Sequence, residues 1–166
     1  MVYIFLFSSE ISDKGFMELI KSFRIESLKK LKLNFIGNSI TEKGLEKASG
    51  FLETLKKISA IDLNLSNNAI TDSGIKFLTR AIIEFKEIHH LRLILDGCKI
   101  TEKGSLYIGR LISLQPMLST LELSLKYNLI ELKGMQCICT GLLQTKKLKK
   151  IKLILEGTLV GDIAAN

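Results

Sequence analysis

Apolar positions along this chain recur at two spacings, and the pair of spacings itself recurs every thirty residues. From Leu28 the pattern is Leu28, Leu31, Leu33 and Phe35 with polar residues between them, then Asn38 and Ile40, then Leu45, Ala48, Leu52 and Leu55. Alternation is the period of a strand with one buried face, and steps of three or four trace one stripe of a helix. The pattern returns with Ile58, Ile61, Leu63, Leu65, Asn68 and Ile70 before Ile75, Leu78, Ile82 and Phe85. It returns again with Ile88, Leu91, Leu93, Leu95, Cys98 and Ile100 before Leu106, Ile108 and Ile112. A fourth full copy runs from Leu118, Leu121, Leu123, Leu125, Asn128 and Ile130 to Met135, Ile138 and Leu142. Leu148, Ile151, Leu153 and Leu155 begin one more strand. Ile4, Leu6, Ser9, Ile11, Gly15, Phe16, Leu19 and Phe23 form a divergent first copy, one residue shorter.

A fixed period in this range marks a solenoid, in which one supersecondary unit cannot bury its apolar face alone and stacks on its neighbours. The units are 1–27, 28–57, 58–87, 88–117, 118–147 and a partial 148–166, together one domain. Thr41, Thr71 and Thr101 stand where each helix needs an N-cap, and Glu42, Asp72 and Glu102 follow where the helix dipole favours negative charge. Glu131 replaces threonine in the next copy, which predicts a weaker cap there. Gly44, Gly74, Gly104 and Gly134 predict a close approach of helix and strand. The column Asn38, Asn68, Cys98, Asn128, bounded by Ser9 and Thr158, puts a polar group at one buried corner of each copy. A buried amide needs partners, so this column is expected to be structural, bonding the backbone of adjacent turns.

The string Leu-x-x-Leu-x-Leu-x-Leu-x-x-Asn-x-Ile-x-x-x-Gly resembles a leucine-rich repeat. The long helical half, and Cys98 in the asparagine column, are similar to the ribonuclease-inhibitor subclass, in a protist-type variant. The resemblance implies an α/β horseshoe with a parallel sheet on the concave face and helices on the convex face. It also implies binding to other proteins, while the thirty-residue repeat itself argues against an ordinary active site.

Strand residues between the buried leucines point to the concave side. They form the columns Tyr3, Lys32, Asp62, Arg92, Glu122, Lys152; Phe5, Asn34, Asn64, Ile94, Ser124, Ile154; and Phe7, Ile36, Ser66, Asp96, Lys126, Glu156. Their charges alternate in sign, so no single-sign track for a nucleic-acid backbone runs along the sheet. A mixed surface suits a protein. Tyr3, Phe5 and Phe7, next to Ile36, would stand out as an aromatic patch, enriched in the side chains that dominate interfaces.

The formal net charge of +7 permits an acidic partner without demanding nucleic acid. Lysine outnumbers arginine 20 to 4, against the arginine preference of base readers. The strongest local charge, Lys146, Lys147, Lys149 and Lys150, suits a helix C-terminus and offers a contact to an acidic surface. Cys98, Cys137 and Cys139 are odd in number and lack paired spacing, so a reduced, cytoplasmic setting is expected. Met1–Phe7 lacks a basic leader and is too short for a signal sequence. No phosphate loop, zinc-protease helix or nucleophile elbow is present, and no cofactor or metal is expected. Two other readings follow from the resemblance: a Ran-type GTPase activator working through the Asn38, Asn68, Thr41 and Thr71 loops, and the substrate-recognition module of a ubiquitin ligase. The opening strand and the Gly161–Asn166 ending carry no polar capping unit, so the chain is expected to be a piece of a larger array or assembly, with cytoskeletal association an option.

Overall fold

The computed structural model describes residues 1–23 and 27–160. Its strands are β1 (Val2–Phe5), β2 (Lys30–Asn34), β3 (Ala60–Asn64), β4 (His90–Ile94), β5 (Thr120–Ser124) and β6 (Lys150–Ile154). Between them lie helices α1 (Asp13–Lys21), α2 (Glu42–Leu52), α3 (Thr71–Ile83), α4 (Glu102–Ser113) and α5 (Leu132–Leu143). The strands form one parallel sheet in chain order. From β2 onward each residue pairs with the one thirty further on, as in Leu33, Leu63, Leu93, Leu123 and Leu153. Equal unit lengths are what hold this register without a slip.

Leucine and isoleucine from the strands meet the helix stripes in one continuous core. Strands pack about 4.8 Å apart and helices 8–10 Å apart. A two-layer stack with one strand and one helix per unit therefore bends, with the sheet inside. That puts the alternate strand residues on the concave face. The open sheet and outer helices make the fold a leucine-rich repeat solenoid.

Two expectations about packing change. The repeated glycines make room for the preceding unit's first helical turn, not for a strand: a methyl group on Gly44 or Gly104 would strike the carboxylate of Asp13 or Asp72. Leu106 is 55% exposed, and Ser105 takes the buried place in α4 beside Gly134. Helices α4 and α5 also meet backbone to backbone, with Gly109 against Cys137 and Gly141. Those two glycines remove the side chains that would hold the helices apart.

Candidate functional site

The concave face is built by the strand register. Lys32, Asp62, Arg92, Glu122 and Lys152 occupy one row on β2 to β6, so their charged ends fall within reach of one another. They form an unbroken ion-pair ladder: Lys32 to Asp62 at 3.0 Å, Asp62 to Arg92 at 2.8 Å, Arg92 to Glu122 at 3.1 Å and Glu122 to Lys152 at 3.0 Å. Burial alone would lower the Arg92 pKa, but Asp62 and Glu122 together raise it. Burial would likewise raise that of Glu122, but Lys152 and Arg92 hold it below the usual carboxylate value. The alternating signs read from sequence thus neutralise each other within the sheet before any partner arrives. A shallow groove of about 290 Å³ runs over β1 to β5 beside this ladder, floored by Leu31, Ile61 and Leu91.

The row nearer the loops is different. Asn34 and Asn64 turn their side-chain oxygens to the backbone N–H groups of Ile36 and Ser66. Ile94, expected on the contact surface, is only 7% exposed. It sits in register between Asn64 and Ser124 on the inside of the bend, where neighbouring side chains converge and shut out solvent. Beyond the strands, Asp96 accepts hydrogen bonds from the Ser124 hydroxyl at 2.6 Å and from the Lys126 N–H at 2.9 Å. Lys126 pairs with Glu156 at 2.6 Å, which raises the lysine pKa and lowers that of the glutamate.

At the β1 edge the surface turns aromatic. Tyr3, Phe5 and Phe7 are 55%, 49% and 53% exposed. The Phe5 and Phe7 rings lie 6.1 Å apart, and the Lys32 ammonium stands 5.7 Å from the Phe5 ring centre. The ladder therefore ends under an aromatic ring, and Ile36 lies half-buried beside it.

The asparagine column is spent on the backbone. Asn38 accepts from the N–H groups of Ser9 and Ile11 and donates to the carbonyls of Leu6 and Phe35. Asn68 accepts from Ile40 and donates to Phe35 and Leu65; Asn128 accepts from Cys98 and Ile100 and donates to Leu95 and Leu125. Cys98 donates its S–H to the Leu65 carbonyl at 3.3 Å, and burial pushes its pKa up to about 11.

Helix capping follows a rule that sequence reading missed. Thr41 and Thr101 cap their helices by accepting from the N–H groups of Lys43 and Lys103, and each is gripped by an aspartate of the preceding unit, Asp13 or Asp72. Thr71 was expected to do the same and does not: its side chain caps nothing, and its φ is +59°. The preceding unit offers Glu42 there instead of aspartate, and the Thr71 N–H goes forward to the Cys98 carbonyl at 3.1 Å. The signal was present in the alternation of Asp13, Glu42, Asp72 and Glu102 along the column.

Lys146, Lys147, Lys149 and Lys150 lie exposed where α5 gives way to β6. Among the described residues no group of three or more His, Cys, Asp or Glu side chains could hold a metal ion. No helix among the described residues is long and apolar enough to cross a membrane.

Comparison with known proteins agrees with this architecture. A family profile described as "Leucine Rich repeat" matches residues 62–78, from β3 into α3. None of the curated proteins matches the chain. Among solved structures, the leiomodin-1 domain titled "Actin-Binding Site 2" is similar, with a TM-score of 0.62 and 22% identity over 83% of this chain and 76% of that one. In all, 52 solved chains match, so the fold is widespread and selects no partner by itself.

Proposed function

We propose that this chain is a non-enzymatic protein-interaction module, of the ribonuclease-inhibitor-like type, working as a subunit of a larger cytoplasmic assembly. Its partner binds the concave side at the β1 end, on Tyr3, Phe5, Phe7 and Ile36, with Lys32, Asn34, Asp62 and Asn64 at the rim. Arg92, Glu122 and Lys126 line the far part of the same face. The carrying observation is the cluster of three half-exposed aromatic rings beside a ladder whose charges are already paired. Aromatic anchors supply large contact area at low entropic cost, and they dominate binding where they are desolvated. A self-neutralised ladder gives specificity of fit without a strong field, so the favoured partner is an apolar protein surface with a polar rim, not a polyanion.

The GTPase-activator reading has less support. Asn38 and Asn68, its loop candidates, have their amides engaged by backbone.

Site-specific photo-crosslinking in cells tests the proposal. A crosslinker at Phe5 or Asn34 should trap a discrete protein, and one at Lys47 on the convex helix α2 should not. Purified actin filaments form a separate arm, because the similar leiomodin-1 domain carries an actin-binding site. Equal trapping from Phe5 and Lys47, or none from Phe5, would remove the concave site.

A further inference from the structure

One edge of the solenoid carries lysine on four of its five described turns, and the remaining turn, 114–119, has no charged side chain. Each helix ends and each strand begins there, and backbone hydrogen bonds stack the turns directly: Ser59 N–H on Lys29, His89 on Ser59, Ser119 on His89 and Lys149 on Ser119, at 2.8 to 2.9 Å. Sheet register places Lys30, Ala60, His90, Thr120 and Lys150 in the adjoining row. Lys29, Lys30, Lys56, Lys57, Lys86, Lys146, Lys147, Lys149 and Lys150 all fall on these turns and are all exposed. Glu53, Glu84 and Glu87 are the carboxylates that share them among the described residues, and Glu53 is already paired with Arg80. Nine lysines less three glutamates leave a net +6 of the chain's +7 on this edge, with four of the lysines between Lys146 and Lys150 and a net acidic turn at 84–90.

Direct capping of helix ends accounts for little of it. Lys86 does cap a helix end, donating to the Ile83 carbonyl at 2.7 Å, and Lys147 reaches the Met117 sulfur. The ammonium groups of the other seven lysines have no ion pair or hydrogen bond among the described residues, whereas Lys32, Lys126 and Lys152 on the concave face are all paired. The edge also exposes leucine: Leu143, the last residue of α5, is 87% exposed, and Leu114, just after α4, is 43% exposed.

We propose that this edge docks the protein on an anionic membrane surface. Unpaired lysines stand toward both ends of this edge, four strand spacings or roughly 19 Å apart, and match a diffuse sheet of negative charge. Lysine is a hydrated point charge suited to such a surface, whereas a defined phosphate site would favour the arginine fork. Leu143 and Leu114 enter the headgroup region beside the lysines, as apolar residues do at membrane interfaces. The edge is separate from the aromatic patch, so a membrane and a protein partner can be held together.

The test is co-sedimentation with phosphatidylcholine vesicles with and without phosphatidylserine. The protein should sediment only with the phosphatidylserine vesicles and be released by high salt. Each lysine changed to glutamine should lower the partition roughly fivefold. The combined Lys146→Gln, Lys147→Gln, Lys149→Gln and Lys150→Gln variant should lose binding, and Leu143→Ser should weaken it. Should the combined variant not fold, the salt titration of the unaltered protein decides, since binding that persists at high salt overturns the proposal. No sedimentation with phosphatidylserine, or binding of duplex RNA or polyglutamate while vesicles are ignored, overturns it as well.

Discussion

The Asp72 carboxylate closes the start of the next unit's helix: Thr101 donates to it through its N–H at 2.8 Å and through its hydroxyl at 2.6 Å. The Gly104 N–H adds a third bond at 2.9 Å. Asp72→Ala strands these donors at a half-buried site, and the expected loss is about 1–3 kcal/mol of unfolding free energy. Glu42 occupies the same column and makes no side-chain hydrogen bond among the described residues, so Glu42→Ala should cost less than about 0.5 kcal/mol. Urea unfolding of the two variants measures the contrast. Equal losses would mean that the acidic column acts through the helix dipole alone.

Gly109 lies where α4 and α5 touch, and a methyl group there would fall on the Cys137 carbonyl oxygen. Gly109→Ala must push the two helices apart, for an expected loss of about 1–3 kcal/mol. Gly50 in α2 has open space around it, so Gly50→Ala should instead raise stability by about 0.5–1 kcal/mol. Thermal melts of both variants should move in opposite directions.

Glu122 links Arg92 to Lys152, and these two cations hold its pKa below the usual value of 4.5 against the opposing effect of burial. A carboxylate lowered in the folded state contributes stability above its unfolded pKa, and that contribution disappears as the pH falls through the folded value. The melting temperature of Glu122→Gln should therefore lie below that of the unaltered protein near neutral pH. The gap should close as the pH falls through and below 4.5. A gap that stays constant with pH would show that the ladder contributes nothing through charge.

Cys98 is fully buried and its pKa is pushed up to about 11, while Cys139 is exposed. At about pH 8 a maleimide should modify Cys139 quickly and reach Cys98 only after denaturation, because the thiolate is the reactive form. Rapid labelling of Cys98 in the folded protein would mean that the corner column opens.

The repeat made most of the fold legible. Equal spacing of Leu33, Leu63, Leu93, Leu123 and Leu153 fixes an in-register parallel sheet, and the observed pairing is that register. The concave columns followed from the same alternation. Less legible were the contacts that depend on side-chain reach from one unit to the next. The signs of Lys32, Asp62, Arg92, Glu122 and Lys152 were plain, but their mutual pairing depends on a strand spacing that brings each charge to its neighbour. The difference of one methylene between Asp72 and Glu42 decides which threonine is gripped, and residue class alone hides it. Ile94 was placed on the surface because alternation gives direction but not the crowding of a concave bend. The lysines of the basic edge are scattered in sequence and become a row only when the turns stack.

Phe5→Ser puts the central proposal to its most direct test, with stability and association measured on the same preparation. Phe5 is half exposed on β1, so the circular dichroism spectrum and melting temperature should stay close to those of the unaltered protein. Recovery of the protein photo-crosslinked through Asn34 should fall at least tenfold, the loss of about 1.4 kcal/mol or more that marks an interface anchor. An unfolded Phe5→Ser protein would make the aromatic patch part of the core, and a folded one that keeps its partner undiminished would place the interface elsewhere.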